Sequence, residues 1–319
     1  MTVEILAMGE AMVEFNATGH PGEGATYVQG YGGDTSNAAI AAVRQGATAG
    51  YLSAVGEDVF GACLVELWRR EGVDASCVKR DREAPTGIYF VTHDGGAHSF
   101  TYYRSGSAAS RLSAAELPEK AIAAAKILHV SAISQAISPV AEAAVAAAMR
   151  CARRHGVAVS YDTNLRLKLW PLARARATIH AAIAEADIAL PSLEDARLLT
   201  DLEEPDEIVD FYLDLGAPLV ALKLGDEGSL VATRDRRRRI PGHKVAAVDA
   251  TGAGDTFAGA FLARLTAGDD PVRAATYANA AAALSTTGYG AVTPIPTRAQ
   301  VKRLLAESGT RGVSEGVPR

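Results

Sequence analysis

Apolar positions along this chain come in two textures. Short unbroken runs over 5–9, 127–130, 157–162, 188–191 and 219–224 predict strands buried on both faces. Alanine-rich stretches between them predict helices. A helix over 37–46 stops at glycine, a strand follows over 48–55, and a helix over 58–71 ends near Gly72. From Ser113 onward strand and helix alternate, which predicts a mostly parallel, doubly wound α/β sheet with helices on both faces. One region differs. Residues 87–93 and 97–104 flank Asp94-Gly95-Gly96 and read as a β-hairpin. The basic run Arg236–Arg239 reads as a solvated hairpin turn between 230–233 and Ile240, with an anion patch as the alternative.

In a doubly wound sheet, ligands bind at the carboxyl ends of the strands. Asp162-Thr163-Asn164, Pro191-Ser192 and Lys223-Leu224-Gly225 fall at such ends.

Composition narrows the class. The 319 residues suit one large α/β domain with a small lid. Hydrophobic residues make up 48% and charged residues 22%, as in ordinary globular proteins. A net charge of −5 argues against a nucleic-acid surface. Cys63, Cys77 and Cys151 show no metal-ligand spacing and fit a reducing compartment. No leader-like start and no apolar span of membrane length are visible, so a cytoplasmic protein without membrane contact is expected. A single domain is expected over 1–307, followed by a flexible Gly-, Ser- and charge-rich tail over 308–319.

The chemistry concentrates in Asp249-Ala250-Thr251-Gly252-Ala253-Gly254-Asp255-Thr256-Phe257. Three small residues before an apolar run let backbone N–H groups converge, and a helix starting there adds its own unpaired donors and dipole. That is a site for a phosphoryl group in flight. Asp255 at its mouth would repel a bound phosphate, so its natural task is to take a proton from an attacking hydroxyl.

This segment resembles the second signature of the PfkB, or ribokinase-like, carbohydrate kinase family. Gly32-Gly33-Asp34-Thr35-Ser36-Asn37, then Gly46 and Val55-Gly56-Glu57-Asp58-Val59-Phe60-Gly61, resembles the first signature. Taken singly, Gly32-Gly33 reads equally well as an ordinary turn, Asn37 as a helix cap, and Gly252 with Gly254 as a ligand-free turn. Order and separation of the two segments match the family, and the likeness runs from Ile5 to about Pro296. It implies a ribokinase-like fold with a small β lid built from about 10–31 and 87–108. It also implies ATP and Mg²⁺ as cofactors, and pairing into a homo-oligomer through an exposed lid.

On the nucleotide side, Lys223-Leu224-Gly225-Asp226-Glu227-Gly228-Ser229 resembles the family's K-x-G-x-x-G-[SA] loop, although alone it would read as a plain hairpin. The resemblance places Asn164, Arg166, Ser192, Lys223, Gly225, Gly228, Ser229, Gly252, Gly254 and Asn279 at ATP. Glu194 matches the acid of an N-x-x-E motif that organises Mg²⁺ through water, with Pro191 standing where the motif has asparagine. Asp249 and Thr251 match positions that hold potassium in several members.

On the substrate side, Phe100-Thr101-Tyr102-Tyr103-Arg104 and Tyr161-Asp162-Thr163-Asn164-Leu165-Arg166 resemble the 2-keto-3-deoxygluconate kinase branch. A carboxylate-bearing sugar invites arginines, and the resemblance implies that role for Arg104 and Arg166. Tyr89 and Tyr102 would supply a wall and phenol hydroxyls, and Gly33, Asp34 and Asn37 would meet sugar hydroxyls. Packing explains tyrosines in a strand too, and period-two alternation lets at most one of Tyr102 and Tyr103 face substrate. Arg104 as a surface charge and Arg166 as a phosphate contact stay open.

The expected reaction is ATP-dependent phosphorylation of 2-dehydro-3-deoxy-D-gluconate at its C6 hydroxyl. Asp255 is the base, and the N–H groups of Gly252, Ala253 and Gly254 form the anion hole. The alternatives are another PfkB kinase (for fructose, ribose, tagatose or 5-dehydro-2-deoxygluconate), a doubly wound dehydrogenase, and a silent sugar-binding regulator. Against the dehydrogenase, the late glycine cluster lacks the third glycine of G-x-G-x-x-G.

Overall fold

The computed structural model describes residues 3–18, 26–94 and 97–314. Its strands are β1 (Ile5–Met8), β2 (Met12–Thr18), β3 (Thr26–Gly32), β4 (Ala49–Gly56), β5 (Asp74–Asp81), β6 (Ile88–Asp94) and β7 (Ala97–Tyr103). They continue as β8 (Ile127–Ser131), β9 (Ala158–Asp162), β10 (Ile188–Ala189), β11 (Leu219–Lys223), β12 (Gly228–Ala232) and β13 (Arg237–Pro241). Nine of them form one sheet in the order β13-β12-β11-β10-β9-β8-β1-β4-β5. From β11 to β5 the pairings are parallel, and β12 and β13 close the edge antiparallel. A ribokinase-like α/β fold results.

The unbroken apolar runs have the predicted cause. All four residues of β1 are buried. Ile5 and Ala7 join the core on one face of the sheet, Leu6 and Met8 the core on the other. Burial on both sides removes any need for polar alternation.

Strands β3-β2-β6-β7 form a separate four-stranded sheet, in which β2 and β6 run parallel. It stands where the lid is expected. The β6–β7 hairpin forms as read, though residues 95–96 of its turn lie outside the described residues. Alternation separates the neighbouring tyrosines: Tyr102 stacks on Tyr89 at 5.5 Å, whereas Tyr103 is 62% exposed and packs edge-on against Phe90.

Two helices are bounded by the residues that predict them. The helix Val59–Glu71 starts at Asp58, whose carboxylate accepts from the Gly61 N–H at 2.8 Å, and stops at Gly72 in a left-handed conformation. The helix Asp34–Arg44 begins three residues before the expected start. Gly33 allows this, with φ of 125° and no room for a side chain: a Cβ there would lie 2.6 Å from the Glu10 carbonyl oxygen.

Three boundaries differ from expectation. Arg237–Arg239 lie within β13 rather than in a turn, because an edge strand with one solvated side tolerates charge and the bend falls earlier. The β5 strand, half-polar and at the other edge, carries no continuous apolar run and was not read from the sequence. The helix Arg298–Ser314 continues past 307, so the expected tail lies partly in this helix and partly, at 315–319, outside the described residues. Among the described residues, no helix is long and apolar enough to cross a membrane.

Candidate active site

Strand order reverses at β1, with β4 on one side and β8 on the other. The cleft opens at the carboxyl ends of these strands, as doubly wound sheets require. Its volume is about 880 Å³, with the lid as one wall.

The helix Ala253–Thr266 supplies the floor. It packs against the helix Asp34–Arg44 so closely that a Cβ on Gly259 would lie 2.1 Å from the Ala38 carbonyl oxygen. This approach joins the two glycine-rich segments of the sequence. Asn37 Nδ2 thereby donates to Asp255 Oδ2 at 2.8 Å. Gly252 precedes the helix with φ of 74°, and a Cβ there would meet the Ala291 carbonyl oxygen at 3.0 Å.

Asp255 has a raised carboxyl. Burial is the main cause that pushes its carboxyl up, to about 7 from 3.8, and the negative charge of Asp34 adds to it. The Asn37 hydrogen bond and the Lys223 charge pull the other way. A carboxyl titrating near neutrality both accepts a proton readily and releases it.

The expected anion hole needs one correction. The Ala253 N–H is bound to the Ala250 carbonyl at 3.1 Å, and Ala253 does not line the cleft. Gly252 and Gly254 do line it, and their N–H groups have no acceptor among the described residues. Two backbone donors are thus available instead of three.

The residues expected at the substrate, Gly33, Asp34, Asn37, Tyr89, Tyr102, Arg104 and Arg166, all line the cleft. Asp34 Oδ2 accepts from Asn164 Nδ2 at 2.9 Å, while Asp34 Oδ1 and Asn37 Oδ1 are buried acceptors without partners. Buried acceptors of this kind call for donors, and sugar hydroxyls are donors. Tyr89 donates its hydroxyl to buried Glu14 at 2.5 Å. Burial and the Glu14 charge hold that phenol far above its usual range.

Asn164, Ser192, Glu194, Lys223, Gly225 and Thr251 also line the cleft, with Asn164 in contact with Asp34. Asn164 has φ of 21°, a conformation that costs energy in a non-glycine residue and recurs at functional sites. Lys223 Nζ pairs with Asp162 Oδ2 at 2.6 Å. Four residues expected at the nucleotide or cation lie elsewhere. Ser229 is fully buried in β12, and Gly228 is wedged against the Ile240 carbonyl. Asn279 donates to the carbonyls of Ile240 and Pro241, and Asp249 accepts from Thr251 and the Gly290 N–H. None of the four lines the cleft.

Asp162, read from the sequence as the end of a parallel strand, lines the cleft as expected, whereas sequence reasoning missed Glu10 and Lys168. Glu10 lies two residues past β1, so the strand-end rule was enough to find it. Lys168 follows Arg166 by two in an irregular segment and gave no such signal.

The pattern of the pfkB family carbohydrate kinases matches residues 3–298. The 2-dehydro-3-deoxygluconokinase of Thermoproteus tenax is 36% identical, over 95% of this chain and 94% of its own. Fructokinase-2 of Oryza sativa subsp. japonica is 34% identical, over 95% and 94%. Among solved structures, a putative ribokinase II from E. coli in complex with ATP and Mg²⁺ superposes with a TM-score of 0.88 at 26% identity, covering 96% of this chain and 99% of that one.

Proposed function

Because this chain belongs to the pfkB family of carbohydrate kinases, we propose that it transfers the terminal phosphoryl group of ATP to the C6 hydroxyl of 2-dehydro-3-deoxy-D-gluconate. The sugar lies between the lid and Asp34, with its hydroxyls donating to Asp34 Oδ1 and Asn37 Oδ1. Asn37 holds Asp255 by one oxygen, leaving the other to accept the C6 proton. The N–H groups of Gly252 and Gly254 meet the charge that develops on the moving phosphoryl.

The residues present fit Mg·ATP. Glu194 is exposed at the cleft beside Ser192, and a Cβ on Gly225 would find open space, so nothing obstructs a nucleotide there. Among the described residues, no cluster of three His, Cys, Asp or Glu could hold a metal by itself. That suits magnesium, which keeps its waters and binds chiefly through phosphates. When bound, the ion supplies charge neutralisation between the phosphates. Glu194 would hold one of its waters, and Lys223 would reach the phosphates from Asp162. Asp249 and Thr251 frame the loop where a potassium effect would originate.

The substrate assignment is carried by one observation: Arg104 and Arg166 both line the cleft that holds Asp255. Two guanidinium groups on one cleft suit a sugar acid, whose carboxylate takes paired, charge-assisted hydrogen bonds that a neutral sugar does not. The test is ADP release with Mg·ATP, comparing 2-keto-3-deoxygluconate with fructose, ribose and gluconate, in potassium and in potassium-free buffer. Strong preference for the keto-deoxy acid supports the reading. Preference for fructose discards the substrate and keeps the Asp255 chemistry. Light scattering of the same sample tests the expected homo-oligomer.

A further inference from the structure

Arg104 and Arg166 line one cleft, but their surroundings differ. Arg104 Nε donates to Glu10 Oε2 at 2.7 Å. Its Nη2 lies 2.5 Å from the same oxygen, yet is buried without an aligned hydrogen bond. The other Glu10 oxygen accepts from the Ser107 hydroxyl. Glu10 itself is 2% exposed. Arg166, by contrast, is exposed and bonds the Leu165 carbonyl at 2.8 Å; among the described residues no carboxylate forms an ion pair with it, and only the longer-range field of Asp195 acts against its charge.

Glu10 also occupies the junction of lid and body. The chain passes between them four times, and each passage touches it. Glu10 lies on the passage from β1 to β2. Arg104 and Ser107 lie on the passage after β7. A Cβ on Gly87, just before β6, would lie 2.8 Å from Glu10 Oε1. A Cβ on Gly33, just after β3, would lie 2.6 Å from the Glu10 carbonyl oxygen. The carboxylate therefore has a fixed position, and Arg104 is fixed by it.

We propose that Glu10 is a specificity-determining residue. It holds Arg104 as a net-neutral pair that offers hydrogen bonds through Nη1, and leaves Arg166, which has no ion-pair partner among the described residues, to supply the charge that selects a sugar acid. The pairing occupies Nε and buries Nη2 against Glu10, so Nη1 is the donor left for a ligand. Its charge is balanced before any substrate arrives. An added carboxylate there gains directional donors but little Coulomb attraction. At Arg166 the same carboxylate meets an unbalanced cation. The division of roles rests on the proposed sugar-acid site.

Glu10→Gln tests it, because glutamine keeps the shape and an acceptor for Arg104 while removing the charge. The Michaelis or inhibition constant for 2-keto-3-deoxygluconate is expected to fall about fivefold, the effect of one nearby unit charge in a partly solvated cleft. The constant for fructose stays within about twofold. Arg166→Gln, at an exposed position, has the opposite effect: about a tenfold rise for the acid and little change for fructose. Melting temperature and the ATP KM are followed in parallel. A rise for both sugars in Glu10→Gln would mark the residue as merely structural and overturn the proposal. So would an unchanged acid-to-fructose ratio in Arg166→Gln, which serves even where the Glu10 variant does not fold. Wild-type preference for fructose would reject the substrate reading alone, since the ratio shifts in the variants are read either way.

Discussion

Asn37 and Asp255, separated by 218 residues in the chain, share a hydrogen bond of 2.8 Å at the floor of the cleft. The bond engages one carboxylate oxygen and sets the direction of the other. A general base needs this kind of fixed approach as much as it needs the right pKa. The bond exists because Gly259 lets two helices touch.

Asp255→Asn is expected to lower kcat by about two to four orders of magnitude, the usual weight of a general base. The KM for ATP changes little, because the proposed mechanism assigns Asp255 to the sugar hydroxyl and not to the nucleotide. Steady-state turnover at saturating ATP checks this. Near-wild-type kcat would remove Asp255 from the chemistry.

The pH profile follows from the raised carboxyl. Asp255 must be ionised to accept a proton, so kcat/KM should rise with pH and level off above about 7. Asp34→Asn removes a negative charge that raises that value, and should move the limb to lower pH as well as raise the sugar KM. A limb unmoved in that variant would show that the two carboxylates do not interact.

Stability carries the same sign. Asp255 holds its proton more tightly folded, at about 7, than unfolded, at 3.8. Its protonation therefore favours the fold fully below about 3.8, and that contribution is lost as pH rises through about 7. Asp255→Asn removes the dependence. The melting temperature of the variant relative to wild type should increase between pH 4 and pH 8, as thermal melts across that range will show.

Gly259→Ala places a methyl group 2.1 Å from the Ala38 carbonyl oxygen, so the helices must separate. Overpacking of this kind costs roughly 1–3 kcal/mol. Because the same contact aligns Asn37 with Asp255, kcat should fall along with the urea midpoint. A drop in stability with unchanged kcat would show that the alignment has another source.

Tyr89→Phe removes the hydroxyl that donates to Glu14, a residue 5% exposed. A buried carboxylate left short of a donor costs about 1–3 kcal/mol. Denaturant unfolding of the variant measures it, and the sugar KM should rise because Tyr89 lines the cleft.

Much of the fold was legible. The unbroken apolar run of β1 announced burial on both faces, and Asp94-Gly95-Gly96 announced the β6–β7 hairpin. Asp255, Gly252 and Gly254 were legible because small residues before an acid carry their own chemistry. Ser229 and Asn279 are less legible, because a motif gives positions without telling which contact the ligand and which hold the loop. Both are buried and absent from the cleft lining.

The sequence alone determined the alternation of strand and helix, and with it the sheet and the end at which ligands bind. Those depend on local periodicity and on the handedness of crossovers, which act over tens of residues. Tertiary structure alone decided which charges meet. Asp255 is raised by its burial and then by Asp34, Arg104 is neutralised by Glu10, and Lys223 is paired with Asp162. Each pair joins distant segments, and electrostatic energy depends on separation in space and on burial, neither of which a linear pattern records.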